Sequence, residues 1–139
     1  MWLESLAEQS TDRERYPFTI AEPLDPAATM TVDTRPLIRA LDTDRRRGVA
    51  PGIIARRFHG TLAEVVSDVA LLIRARTGLR RVALSGGVFL NAVLTAEVET
   101  QLVDRGFEVY RHHLLPPGDG GLSLGQLAVA AARIATKDI

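Results

Sequence analysis

An apolar run, Val82-Ala83-Leu84, meets Ser85-Gly86-Gly87 and then gives way to a helical pattern starting at Asn91. Few local structures satisfy that order. A short aliphatic run stopped by two glycines reads as a strand ending in a tight turn, and the residues after it repeat at helical spacing. The turn therefore delivers the chain to a helix N-terminus, where unpaired N–H groups and the positive end of the helix dipole favour an anion. Adjacent glycines carry no Cβ to hold a phosphate or ribose off the backbone. A second loop of the same kind follows, Pro116-Pro117-Gly118-Asp119-Gly120-Gly121, and leads into Leu122-Ser123-Leu124-Gly125-Gln126 with one carboxylate in the turn.

Between the two loops, the pattern predicts a helix over 91–105 with Leu94, Val98 and Leu102 facing inward and Gly106 at its C′ position. A strand follows over 107–110, and a last helix over 122–134 packs through Leu124, Leu127, Ala128 and Ala131. Strand, helix, strand, helix implies parallel strands joined by a right-handed crossover. Ligands on such sheets sit at the carboxyl ends of the strands, and both glycine loops fall there.

Upstream, residues 1–9 read as a helix with Trp2, Leu3, Leu6 and Ala7 on one side and no cap before it, as expected of a chain cut from something longer. Strands over 16–20 and 30–32, separated by a loop at Pro23 and Pro26, suggest a hairpin. Asp33 or Thr34 caps the next helix, with Pro36 in its first turn and Leu37, Ile38 and Leu41 on its apolar side. That helix is expected to fray across 42–47 into a solvated arginine-rich end before Gly48. A long helix runs from Pro51 to Thr77-Gly78, bent or broken at Gly60, where glycine costs about 1 kcal/mol against alanine.

At 139 residues the chain makes one domain with a real core. Its formal net charge of zero gives no basic footprint for nucleic acid or an acidic membrane surface. It has no cysteine, which removes disulfides, thiolate nucleophiles and cysteine-type zinc sites and fits a cytoplasmic protein. No apolar run approaches the roughly 20 residues a bilayer span needs, and no signal-peptide pattern opens the chain.

Taken alone, each motif has a plain structural reading. Gly86-Gly87 serves a tight turn without any ligand, and Asn91 serves as an N-cap. Asp119 between glycines serves an Asx-turn or a helix cap, and one carboxylate cannot hold a metal ion. His112 and His113 are neighbours after a strand and point to opposite faces, and His59 lies in the long helix. All three are read as structural or surface histidines. Ser85 has no histidine near it in sequence and no Gly-x-Ser-x-Gly elbow around it. Physics alone reaches an α/β domain with an anion pocket.

Taken together, the motifs go further. Ser85-Gly86-Gly87-Val88-Phe89-Leu90-Asn91, then Gly106-Phe107-Glu108-Val109, His112, and Pro116-Pro117-Gly118-Asp119-Gly120-Gly121-Leu122-Ser123-Leu124-Gly125-Gln126 closely resemble the C-terminus of the hydrogenase maturation carbamoyltransferases, the HypF family. Tyr16-Pro17-Phe18 and Ala55-Arg56-Arg57-Phe58-His59-Gly60-Thr61-Leu62-Ala63 resemble it as well. Two departures are visible: Gly118 stands where the family usually has asparagine, and Leu90 where it usually has glutamine.

The resemblance implies a fold, the second lobe of an actin/Hsp70-like (ribonuclease H-like) ATPase with a sheet flanked by helices. Residues 1–139 would be a single domain, the C-terminal lobe of a carbamoyltransferase domain like the tRNA threonylcarbamoyl-transfer protein TsaD, within a larger protein. It also implies a chemistry. Carbamoyl phosphate and ATP yield a carbamoyl adenylate, and the carbamoyl group passes to the C-terminal cysteine of the partner HypE during NiFe hydrogenase maturation. Ser85, Gly86, Gly87 and Asn91 would hold the nucleotide. Asp119 would be one ligand of a divalent metal, Fe or Zn, completed by histidines in a first lobe outside this chain. On that view the isolated chain is inactive, with no nucleic-acid or membrane partner. Two other readings are an O-carbamoyltransferase of natural-product tailoring and a non-catalytic interaction module. The Phe58-His59 and Pro-Pro-Gly-Asp-Gly-Gly segments favour the hydrogenase branch.

Overall fold

The computed structural model describes residues 2–21 and 29–135. In chain order these form α1 (Trp2–Glu8), β1 (Thr19–Ala21), β2 (Thr31–Asp33), α2 (Arg35–Arg46), α3 (Pro51–Thr77), β3 (Arg81–Leu84), α4 (Ala92–Asp104), β4 (Glu108–Arg111) and α5 (Leu122–Ala135). Single 3-10 turns, Gly87–Leu90 and Asp119–Gly121, precede α4 and α5. The loop read at Pro23 and Pro26 lies outside the described residues. No described helix is long and apolar enough to cross a membrane.

The fold is α/β, and its strands form two separate pairs. β1 and β2 are antiparallel, with Ile20 opposite Val32. β3 and β4 are parallel, with Leu84 opposite Arg111. The core lies where α3 and α4 cover the parallel pair. Ala63, Leu84, Leu94, Val98, Leu102 and Phe107 are buried there, with Val66, Val82 and Phe89 packed against them. Leu94, Val98 and Leu102 recur at helical spacing, so α4 turns the expected face inward.

Four expectations change. The first strand begins at Thr19, because Tyr16 is committed elsewhere: its N–H donates to Thr61 Oγ1 at 2.8 Å. α3 runs unbroken through Gly60. The glycine makes room for a neighbour, since a Cβ there would lie 2.3 Å from Arg15 Cζ. α2 stays helical to Arg46, its end held by Asp42 accepting from both Arg45 and Arg46. α5 does not pack as read. Leu124 and Leu127 are 48% and 65% exposed, and no described element buries the helix. An apolar face fixes that a helix wants cover, and leaves the partner undetermined.

The segment before β1 is fastened by charge. Arg57 engages Asp12 at 3.0 Å and Asp44 at 2.9 Å, and Tyr16 donates its hydroxyl to Asp44 at 3.0 Å. Arg15 and Arg56 both reach Glu97 on α4. Thr34 precedes α2 without capping it; Asp33 Oδ1 accepts the Arg35 N–H instead, and the Arg35 guanidinium draws the Asp33 carboxyl down to about 2.

Two shifts here set a pH dependence. Arg57 holds the Asp12 carboxyl below its usual value, so its contribution is present above the unfolded value of about 4 and is lost as pH falls below it. Burial, then the bond to Asp44, pushes the Tyr16 hydroxyl above its usual value. Its contribution is complete below about pH 10 and is lost as pH rises further. Denaturant midpoints should therefore form a plateau between those limits. In Tyr16→Phe the alkaline decline should be shallower than in the parent. Parallel alkaline slopes in the two proteins would remove Tyr16 from the account.

Candidate functional site

The two glycine loops meet at the carboxyl ends of β3 and β4. The Gly86 N–H donates to the Pro117 carbonyl at 2.7 Å, which staples one loop to the other. Gly86 has φ +106° and ψ 158°, a conformation essentially reserved for glycine. The loops and the first turns of α5 enclose a cleft of about 750 Å³ lined by Ser85, Gly86, His112, Gly118, Asp119 and Gln126, with Leu115, Leu122 and Val129 on its apolar side. Ser85 Oγ lies 3.2 Å from His112 Nε2.

Ser85, Gly86 and Asp119 thus come together around one cleft. Gly87 sits at its edge, its Cα about 3.5 Å from the position a Cβ on residue 118 would take. Asn91 is turned to a different task. Its Oδ1 accepts the Leu94 N–H at 2.9 Å, capping α4, and its Nδ2 lies 2.9 Å from His59 Nε2. His59 is 2% exposed and its Nδ1 lies 2.8 Å from the Ala55 carbonyl. A carbonyl only accepts, so Nδ1 carries the proton and Nε2 accepts from Asn91. His59 is the structural histidine expected of it.

The helix N-terminus also differs from the expected anion site. Glu4 of α1 places Oε1 2.5 Å from the Ala92 N–H, and this bond helps hold the Glu4 carboxyl below its usual value. With Ala92 and Leu94 already engaged, the amides left for an anion are those that open the Gly87–Leu90 turn. The first donor within that turn is Phe89, to the Gly86 carbonyl at 3.1 Å.

His112 is the cleft residue that sequence reasoning missed. In the sequence it stands beside His113 as a structural or surface histidine and within the family resemblance, with no role at the cleft. The signal lay in its place just past the end of β4, where a parallel pair presents its ligand edge. Among the described residues, no group of three or more His, Cys, Asp or Glu side chains could hold a metal ion. Asp119 alone does not make a metal site.

Gly118 invites a substitution. Its φ of −99° and ψ of −158° suit any residue, and a Cβ there meets only ordinary contacts, 3.5 Å from Gly87 Cα and 4.0 Å from Leu90 Cδ1. Gly118→Ala should stabilise the chain by about 0.5 kcal/mol by reducing the freedom of the unfolded state. Thermal denaturation checks it; a lowered midpoint would mean the loop needs conformations an alanine excludes.

Comparison with known proteins gives the family and the fold. The family described as "Carbamoyltransferase, Kae1-like Domain, second subdomain" matches residues 1–126. Carbamoyltransferase HypF of Synechocystis is 34% identical over 125 residues, covering 90% of this chain and 15% of the relative. HypF of Rhizobium leguminosarum bv. viciae is 43% identical over 100 residues, covering 72% of this chain and 13% of the relative. The crystal structure of full-length HypF in its phosphate- and nucleotide-bound form superposes with a TM-score of 0.83 at 35% identity, covering 92% of this chain and 16% of that one. HypF of T. kodakarensis shares the fold at a TM-score of 0.76 and 23% identity, covering 98% and 17%. The chain thus spans about one seventh of the length of these relatives.

Proposed function

Because this chain belongs to the Kae1-like carbamoyltransferase domain family, as its second subdomain, we infer that it supplies one wall of the transfer cleft in a larger carbamoyltransferase. The observation that carries this reading is the Gly86–Pro117 staple, which gathers Ser85, His112 and Asp119 around one opening at the carboxyl ends of parallel strands. The larger protein would convert carbamoyl phosphate and ATP to a carbamoyl adenylate. At this cleft the thiol of the C-terminal cysteine of HypE attacks the carbamoyl carbon. The S–C bond forms, the C–O bond to AMP breaks, and the thiol proton leaves to solvent or base.

In this scheme the Gly86–Gly87 turn accepts the phosphate against the Gly87 and Val88 amides, with Ser85 beside it. Asp119 would serve as one ligand of a divalent ion, Fe or Zn, whose other ligands would come from histidines outside this segment. When bound, such an ion supplies Lewis-acid polarisation of a phosphate or carbonyl oxygen. The segment's own contribution is placement: a short backbone staple fixes the distance between the turn and the carboxylate.

The test is intact-mass analysis of HypE incubated with the full-length protein, carbamoyl phosphate and ATP. A carbamoyl adduct on the C-terminal cysteine is expected, and none with the isolated 139-residue chain. Absence of the adduct with full-length protein would overturn the reading. Transfer by the isolated chain would overturn its half-site character.

A further inference from the structure

Resting on that cleft reading, we propose that His112 is a positioning residue for Ser85, its Nε2–H donating to Ser85 Oγ so that the serine hydroxyl proton turns toward an anionic oxygen of the bound carbamoyl nucleotide. β3 and β4 are parallel with Leu84 and Arg111 in register, so Ser85 and His112 are the next pair beyond the strand ends. Their side-chain atoms stand 3.2 Å apart, and both line the cleft with Gly86 and Asp119.

A hydroxyl has one proton to give. Spent on the imidazole, it leaves only lone pairs facing the cleft, and these repel a phosphate or carbonyl oxygen. With Nε2 protonated the imidazole donates, and the serine proton is free to meet the ligand. With the Gly86 N–H spent on Pro117, the neighbouring turn offers the Gly87 and Val88 N–H groups, so an anion suits this corner and the second arrangement is the one matched to it. The neutral Nε2–H tautomer is sufficient. Ser85 and His112 are both exposed, so neither holds the core, and their loss should leave stability unchanged.

The experiment is a double-substitution cycle in the full-length protein, read as the rate of carbamoyl transfer to HypE. Ser85→Ala and His112→Ala should each slow transfer about tenfold, and the double variant about tenfold rather than about a hundredfold, because both remove one donor. His112→Gln, which keeps an N–H donor, should recover most of the rate. A parental rate in His112→Ala, or multiplicative losses, would overturn the proposal. If the unsubstituted protein transfers nothing, the cleft reading itself fails. The proposal is then decided by nitrogen NMR of labelled histidine in the same protein. A proton on His112 Nε2 that responds to Ser85→Ala is expected, and a bare Nε2 would overturn it.

Discussion

Asp119→Ala in the full-length protein should abolish measurable carbamoyl transfer, a loss of at least about a hundredfold, on the proposal that Asp119 is a ligand of a metal ion, which would supply several kcal/mol of transition-state stabilisation. The fold should be indifferent to the change. Asp119 is exposed, and the turn it opens is held by backbone, with the Gly121 N–H donating to the Gly118 carbonyl at 3.1 Å. Metal content should fall together with activity, which separates loss of a ligand from loss of a general base. Asp119→Glu keeps the charge but moves it outward by about 1 Å, a displacement that can itself cost about a hundredfold. It should therefore retain more metal than activity. A variant without the carboxylate that still transfers at the parental rate would remove Asp119 from the site.

The site was partly legible in the sequence because its two loops are local. Each is a glycine cluster between a strand and a helix, and a turn residue's constraint is written in its own side chain. The bond that joins them is not local. Gly86 and Pro117 are far apart in sequence, and backbone groups carry no sequence signature, so only the folded chain brings them together. His112 was passed over for a related reason. Alternation along a strand separates His112 from His113, and the partner of His112, Ser85, comes from the other strand of the pair.

The fold shows the same division. β3, α4 and β4 follow from periodicity, since a face buried on one neighbour repeats at fixed spacing. Tyr16 reads locally as the start of a strand and 55–63 as part of a long helix, and their meaning is tertiary. Tyr16 bonds Thr61 through its N–H and Asp44 through its hydroxyl, while Arg57 holds Asp44 and Asp12. Gly60 leaves space for Arg15 on its way to Glu97. Nothing in a local window shows that a glycine inside a helix is making room for an arginine about forty-five positions upstream.

Asn91→Ala is the substitution that should cost this chain's fold most among the site residues, about 2–3 kcal/mol. Two losses combine. Without Oδ1 the Leu94 N–H loses its cap, worth about 1 kcal/mol. Without Nδ2 the buried His59 Nε2 loses its donor, and an unpartnered buried acceptor costs about 1–2 kcal/mol more. Asn91→Ser separates the terms, because serine caps a helix as well as asparagine but is too short to reach His59. It should cost about half as much. The consequence reaches the cleft. Asn91 closes the Gly87–Leu90 turn, its N–H donating to the Val88 carbonyl at 3.1 Å, and Thr95 Oγ1 on α4 lies within reach of both the Asn91 and Phe89 carbonyls, its one proton going to either. Through His59, the long helix α3 sets where that turn ends, and so where Gly86 meets Pro117. Chemical denaturation of the three proteins measures the stability order. Hydrogen exchange at Val88 through Leu94 should rise in Asn91→Ala more than elsewhere in the chain. Equal costs for serine and alanine would assign the whole effect to the lost His59 contact, and equal costs near zero would place His59 and Asn91 outside what holds this turn.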